Sequence, residues 1–250
     1  MAGFLASMWE VGLSAVLPVA VALILFFVSA RGPLAAPIRA TGGIVAPYFG
    51  SVSILFGLFA ALLVSDVWQK AGEAKRAVQA ESEAIHALAH LSRAGGIAAV
   101  VIPSLKSYIA AAGEEDPYAS SITTTRAATA NAYLELLTAI SRAPGLDGAL
   151  RATMLTTTRE LQKAHDERLS LANDVTAPIK WFAILVFGAI TQIALMLVHV
   201  DKPRAMRVAV GLFTVAFAFC LVIVAIFDAP FEIVLAGEPR ASLKIALDGL

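Results

Sequence analysis

The stretch "SVSILFGLFAALLVSDVW", residues 51–68, decides the fold of this chain. It is almost wholly apolar until it meets a single carboxylate, Asp66, near its end. With the residues before it, the stretch completes an apolar window from Ile44 to Asp66, about the 20 residues that a helix needs to cross a bilayer. Because a backbone in lipid must satisfy its own hydrogen bonds, this window predicts a membrane-spanning helix.

Three further windows of similar length and character occur in the chain: Val11–Ala30, Trp181–Val200 and Val208–Phe227. They explain a composition of 58% hydrophobic and 15% charged residues with a mean hydropathy of +0.77, which is too apolar for a soluble domain of this length. No Lys or Arg precedes Arg31, so we expect the first window to be an anchor rather than a cleaved signal. The sequence therefore predicts a multi-pass protein of the inner (plasma) membrane.

A water-facing helical domain is predicted at 67–180, between the second and third windows. Apolar residues recur there at intervals of three and four from Val67 to Leu88. This spacing predicts that the second spanning helix continues into the domain and ends at the Gly95-Gly96 pair, which breaks helices.

Two turn sequences, "GEEDPY" at 113–118 and "APGLDG" at 143–148, bound further helices that we expect at 119–142 and 149–173. Only "FEIVLAG", residues 231–237, alternates in a way that allows a strand. The pattern of the water-facing domain is therefore helical.

The predicted fold class is an all-α membrane protein with four transmembrane helices and a helical extramembrane bundle. Its expected divisions are two spans in 1–66, the helical domain in 67–180, two spans in 181–227 and a C-terminal segment, 228–250, that packs on the helical domain. The short loops at 31–43 and 201–207 hold five basic residues, so the positive-inside rule favours cytoplasmic loops and an outward-facing helical domain.

Residues that could carry chemistry are few. No catalytic motif, nucleotide-binding loop or cysteine pair is present, and we expect neither an enzyme nor a cofactor. Glu83, His86 and His90 have a metal-like spacing but lie opposite the apolar stripe of their helix, which favours a solvated polar face over a metal site. His165 and Asp166 receive the same interpretation. The equal numbers of basic and acidic residues, 19 each, give no electrostatic footprint for nucleic acid.

Glu81 is different because it falls on the apolar stripe itself. A buried carboxylate must be paired or protonated, and Arg126 and Arg168 on later helices are both reasonable partners. We favour a structural ion pair that locks the bundle over a switch, and both interpretations remain open.

The second spanning helix has two contrasting sides. One side carries the small residues that let membrane helices approach closely: Gly50, Ser53, Gly57 and Ala60. The opposite side carries Leu55, Phe59, Leu62 and Asp66. In a ring of subunits this side would form a narrow apolar neck with a ring of Asp66 at its mouth. Such a neck would gate by dewetting, and a charged ring at its mouth would bias which ions enter. The alternative is a lipid-facing side with Asp66 at the headgroup level.

Several of these stretches resemble the bacterial bestrophin-like domain family. The resemblance rests on "LFGLFAALLVSDVW" at 55–68, on Val78 and Glu81, on Arg168-Leu169 ahead of Pro178 and Trp181, and on "FDAPF" at 227–231. It implies a homopentamer, a pore lined by the second transmembrane helix, conduction of chloride or other small anions, and a cytosolic helical domain. It also favours a structural role for Asp228. The acidic calcium-binding cluster of animal bestrophins has no counterpart here, so we expect no calcium gating.

The predicted function is an oligomeric ion channel in the lipid bilayer that conducts small inorganic ions, with anions favoured by analogy. One alternative is a cation-selective channel, because an Asp66 ring would attract cations unless Lys70, one turn later, neutralises it. The other alternative is a non-conducting signalling or scaffold protein of the membrane.

Overall fold

The computed structural model describes residues 2–30, 46–115, 122–174, 176–228, 230–231, 233–235 and 237–248. The regular structure within these ranges is entirely helical, which confirms the predicted all-α class. In chain order the helices are α1 (Ala2–Ala30), α2 (Ala46–Ala94), α3 (Ala98–Glu114), α4 (Ile122–Arg142), α5 (Gly148–Asn173), α6 (Pro178–Val198), α7 (Pro203–Asp228) and α8 (Glu238–Asp248).

Four of these helices, α1, α2, α6 and α7, are long and apolar enough to cross a membrane. Of the apolar windows found in the sequence, α1 and α7 contain theirs entirely, whereas α2 begins at Ala46 and α6 ends at Val198, each within two residues of its window's limit. The second of them, α2, is 49 residues long and runs without a break from the second apolar window to Ala94. The four predicted spans are therefore present as helices of suitable length and composition.

The contacts within the chain divide it into two compact units. The membrane unit comprises Met1–Gln69 and Thr176–Ala229, and the bundle unit comprises Lys70–Val175 and Pro230–Leu250. The long helix α2 contributes residues to both.

In the membrane unit, α2 packs against α6 and α7 through a single apolar face. Leu63 and Val67 of α2 are buried together with Ile184 of α6 and Phe217 of α7. Gly188 allows α6 to approach α7 closely, because a Cβ at this position would overlap the Phe217 ring. A larger residue would therefore force the Phe217 ring or the two helices to shift.

The core of the bundle unit is formed by apolar residues from five helices. Leu88 of α2, Leu105 of α3, Ile140 of α4, Leu161 of α5 and Leu243 of α8 all belong to one buried cluster. Four of these helices, α2 to α5, repeat their buried residues at three- and four-residue spacing, which is the pattern of an amphipathic helix packed on a shared core.

The helix ends in the bundle unit carry ordinary stop and start signals. After α2 ends at Ala94, Gly96 adopts a φ of 69°, a conformation that costs glycine little. Asp147 caps α5 by accepting hydrogen bonds from the N–H groups of Ala149 at 2.9 Å and Leu150 at 3.2 Å. The helix break after α2 and the turn before α5 are thus confirmed.

The C-terminal segment differs from the sequence-based expectation. Phe231 and residues 233–235 form turns where a strand was allowed, and the N–H of Leu235 donates to the carbonyl oxygen of Pro230 at 2.7 Å. Phe231 and Leu235 are buried beside Ala74 of α2, so their spacing reflects two anchors of a turn rather than one face of a strand. The helix α8, which was not predicted, follows.

Candidate functional site

One face of α2 in the membrane unit is apolar and uncovered by the rest of the chain. Leu55, Leu58 and Leu62 on this face are 53, 59 and 62% exposed. Phe59, predicted on the same side, is half-buried and packs against Phe187 of α6 with ring centroids 5.7 Å apart. Leu55 and Leu62 therefore share the uncovered face, whereas Phe59 lies at its edge.

The small residues of α2 are mostly not used for packing within the chain. Ala60 is buried in the contact with α6 and α7. In contrast, a Cβ added at Gly50 or Gly57 would meet no atom within 4 Å, and Ser53 is only partly buried. Close approach at Gly50 and Gly57 therefore stays a prediction about contacts with another subunit.

Asp66, the carboxylate at the end of the apolar stretch, forms an ion pair with Lys180 in the first turn of α6. Lys180 Nζ lies 2.7 Å from Asp66 Oδ2, and the two side chains are 43 and 36% exposed. Lys70, considered from the sequence as the residue that neutralises Asp66, binds Asp174 instead. Its Nζ lies 3.3 Å from the Asp174 carboxylate and 3.1 Å from the Asp174 carbonyl oxygen, so two oxygens hold it there.

Asp228, the last residue of α7, fixes the start of α6. Its carboxylate accepts hydrogen bonds from the Thr176 backbone N–H at 2.7 Å and from the Trp181 indole N–H at 3.2 Å. Thr176 immediately precedes Ala177, the N-cap residue of α6, and Trp181 lies near the start of that helix. The carboxylate thus holds the end of α6 from which Lys180 projects.

A second polar site lies in the bundle unit around the buried carboxylate of Glu81. Arg168 Nε donates to Glu81 Oε2 at 2.8 Å, and the Tyr108 hydroxyl donates to Oε1 at 3.1 Å. His165 Nδ1 lies 3.1 Å from the same Oε1. Of the two arginines that the sequence left open, Arg168 is the partner found, whereas Arg126 is exposed.

A second buried carboxylate, Glu115, completes this network. Its Oε2 accepts a hydrogen bond from the Thr129 hydroxyl at 2.9 Å and lies 3.2 Å from His165 Nε2. His165 is therefore placed between two carboxylates, and Arg168 Nη2 approaches its Nδ1 at 3.2 Å. When His165 is protonated, two cations balance two anions inside the bundle.

The network shifts the pKa values of its members. Burial alone would raise the pKa of Glu81, but the His165 hydrogen bond and the Arg168 charge outweigh it and hold the pKa below its ordinary value. The pKa of Glu115 is lowered in the same way, against its burial, by hydrogen bonds from His165 and Thr129. Burial would lower the pKa of His165, yet hydrogen bonds to both carboxylates raise it. All three shifts favour the charged forms.

Sequence reasoning named Glu81 and Arg168 but missed the other four members of this network, which are Tyr108, Glu115, Thr129 and His165. His165 was assigned with Asp166 to a solvated face, and this is wrong for His165, which is only 2% exposed, although Asp166 is exposed. The helical period contained the signal, because His165 stands four residues after Leu161 and both are buried. Glu115 is one of three consecutive acidic residues, and its own burial depends on contacts that spacing does not reveal.

The metal-like group of the sequence lies on an outer face of α2. Glu83 and His90 are exposed, and His86 is partly exposed. In the part of the chain that the structure describes, no three His, Cys, Asp or Glu side chains are grouped so as to hold a metal ion.

Uncharged hydrogen bonds link three helices inside the membrane unit. Gln192 Nε2 of α6 donates to the Pro18 carbonyl oxygen of α1 at 3.1 Å and to the Thr214 hydroxyl of α7 at 2.9 Å. Thr214 in turn donates to the Val210 carbonyl oxygen at 2.7 Å. Such polar contacts hold membrane helices together without a buried charge.

These features define a helical membrane protein with four candidate spans, an uncovered apolar face on the longest helix and a separate helical bundle. The chain matches the family model of the Bestrophin-like domain over residues 16–236 and therefore belongs to that family. The family resemblance described from the sequence is thus confirmed.

Solved structures show the same fold. Two mutant forms of a bacterial bestrophin homologue from Klebsiella pneumoniae align with TM-scores of 0.69 and 0.68, at 14 and 13% sequence identity. The alignments cover 97 and 96% of this chain and 97 and 98% of the respective homologue chains. A comparison with curated protein sequences found no significant match.

Proposed function

We propose that this protein is a homopentameric ion channel of the inner membrane, in which α2 of each subunit lines the conduction pathway and small anions pass. Leu55, Phe59 and Leu62 form the neck of the pathway, and Asp66 lies at its mouth. Contacts between neighbouring subunits involve the small residues of α2 that the chain itself leaves open, Gly50 and Gly57, with the partly buried Ser53 beside them. Membership of the Bestrophin-like family supports this proposal.

The observation that carries the proposal is the uncovered apolar face of α2. Leu55 and Leu62 are more than half exposed on a helix whose opposite face is packed into the membrane unit. In a ring of subunits such a face surrounds a central axis, and a narrow apolar passage controls conduction by excluding or admitting water.

The polar residues of the described spans support a channel rather than a coupled carrier. Carriers and pumps generally place ionisable groups at membrane depth, where they bind the transported or coupling ion. Here the buried polar side chains at that depth include Gln192, Thr191 and Thr214, which are uncharged and make hydrogen bonds between or within helices.

The chain is divided between the bilayer and water. The residues at 1–66 and 181–227 cross the bilayer, whereas 67–180 and the C-terminal segment 228–250 form the water-facing part.

The ion pair between Asp66 and Lys180 favours anions over the alternative of a cation channel, because an acidic residue that is already paired attracts cations weakly.

The test is current through the purified protein in planar bilayers under a KCl gradient. We expect a current that reverses near the chloride equilibrium potential, and a larger single-channel conductance in Leu62→Ala and Phe59→Ala because each truncation widens the neck. The matched control is Leu212→Ala on α7, since Leu212 is 69% exposed and Leu62 is 62% exposed.

Each outcome of this test bears on a separate part of the proposal. Equal conductance in all three variants would remove α2 from the pathway, and reversal near the potassium potential would establish the cation alternative. An inserted protein without current over a range of pH and voltage would favour the non-conducting signalling or scaffold role. Native mass spectrometry of the detergent-solubilised protein tests the pentamer independently.

A further inference from the structure

We infer that Lys180 is a selectivity-determining residue of the proposed channel, because it neutralises the acidic ring that Asp66 would otherwise form. The inference rests on the proposed function and adds a residue of α6 to a pathway assigned to α2. The net charge at the mouth is then the sum of the negative charges of the Asp66 ring and the positive charges of the Lys180 ring, rather than the charge of Asp66 alone.

The geometry of the pair supports neutralisation. Lys180 Nζ and Asp66 Oδ2 are 2.7 Å apart, the distance of a charge-assisted hydrogen bond, and both side chains stay more than one-third exposed. The pair is therefore in contact with water and close to any ion that passes the end of α2. Such an ion meets the dipole of the Asp66–Lys180 pair instead of a single negative charge.

The position of Lys180 is fixed by its surroundings. Lys180 lies in the first turn of α6, and its backbone N–H donates to the Ala177 carbonyl oxygen at 2.8 Å. The next residue, Trp181, is held by Asp228 through the indole N–H. The cation is thus attached to a helix end that is tied to α7, so it remains beside Asp66 without depending on the ion pair alone.

The electrostatic consequence follows from the distance over which charges act. Exposed charges are screened within about 8–10 Å at physiological salt, so a lysine in contact with Asp66 cancels its field where a more distant lysine could not. Lys70 cannot substitute, because Asp174 binds its Nζ through two oxygens. Removing Lys180 would therefore leave one uncompensated negative charge per subunit at the mouth.

The substitutions needed for a test should be compatible with folding. An exposed ion pair contributes little to stability, so the loss of either partner should leave the folded protein intact. Lys180→Gln removes the cation, Asp66→Asn removes the anion, and the double variant removes both while keeping side chains of similar size. Lys180→Arg keeps the cation and is the control for local structure.

The experiment measures reversal potentials of the four variants and the wild type in planar bilayers under a KCl gradient. We expect the cation-to-anion permeability ratio to rise about tenfold in Lys180→Gln and to fall about tenfold in Asp66→Asn, because lining of one sign concentrates its counter-ion. The double variant and Lys180→Arg should both resemble the wild type.

The possible failures are distinguishable. If the wild type conducts but Lys180→Gln and Asp66→Asn leave the permeability ratio unchanged, the pair lies away from the ion path and the inference is overturned while the channel remains. If both single variants shift the ratio in the same direction, charge is not the cause and the inference also fails. A wild type that inserts but carries no current refutes the proposed function, and the inference with it.

Discussion

Replacing Arg168 with methionine should destabilise the bundle unit strongly and in a pH-dependent manner. Arg168 is 2% exposed, and its Nε donates to Glu81 Oε2 at 2.8 Å, whereas Tyr108 and His165 contact the other oxygen, Oε1. The variant keeps the volume of the side chain roughly constant but leaves Oε2 without this charged donor. Glu81 must then remain ionised with only the Tyr108 and His165 contacts at Oε1, or take up a proton.

The magnitude follows from these two choices. Removing one partner of a buried ion pair costs about 3–5 kcal/mol. Protonation sets an upper limit to this cost, because Glu81 can take up a proton instead of staying charged. At about pH 7.5, roughly three units above the ordinary carboxyl pKa of 4.5, taking up that proton requires about 4 kcal/mol. At about pH 5.5 the same limit is only about 1.4 kcal/mol. We therefore expect a loss of about 3–4 kcal/mol at the higher pH and about 1 kcal/mol at the lower pH.

Hydrogen exchange measured by mass spectrometry provides the assay, since the protection of peptides from α3 reports the free energy of opening the bundle unit. Arg159→Met on the exposed side of α5 is the matched control and should change little. Adding Glu81→Gln to Arg168→Met should recover much of the loss, because no charge is then left unpaired at that position. A loss below about 1 kcal/mol at pH 7.5, a loss independent of pH, or a double variant no better than Arg168→Met would refute the reasoning.

Three further predictions address other contacts. His165→Gln should remove the loss of bundle stability that the wild type shows as the pH rises. The pKa of His165 is raised in the folded state, so its contribution to stability is complete below about pH 6.5 and is lost as the pH rises through the folded pKa. Hydrogen exchange measured against pH should show this alkaline loss in the wild type and not in the variant. Gly188→Ala should cost the membrane unit about 1–3 kcal/mol, because its Cβ would overlap the Phe217 ring, whereas Gly211→Ala meets open space and should leave thermal unfolding in detergent nearly unchanged. Asp228→Ala should cost about 1–3 kcal/mol in the same assay, because two N–H groups at the start of α6 lose their acceptor.

The outcome that contradicts each of these is specific. If the His165 variant still lost bundle stability as the pH rises, that loss would belong to another titrating group. Equal unfolding temperatures for the two alanine variants of glycine would show that α6 and α7 can separate at little cost. An unfolding temperature for Asp228→Ala equal to that of the wild type would mean that water replaces the carboxylate at the start of α6.

Local features of the sequence were sufficient for most of the fold. The four spans follow from the length and apolarity of their windows, and the continuation of α2 to Ala94 follows from spacing at three and four residues and the glycine pair after it. These signals are local because hydrogen bonding within a helix and the solvent on each face act over a few residues. The turns formed by Phe231 and residues 233–235 were less predictable, since two buried anchors, Phe231 and Leu235, imitate the alternation of a strand.

The pairing of charged groups was decided only by the tertiary structure. The sequence showed that Glu81 needed a partner, yet the choice of Arg168 over Arg126 depends on contact between residues 87 positions apart. The same applies to Asp66, whose partner Lys180 is 114 positions away, although a lysine stands one turn along the same helix. Apolarity and helical period are properties of a segment and can be determined from the sequence, whereas the partner of a charge depends on which distant helix the folded chain brings within about 3 Å.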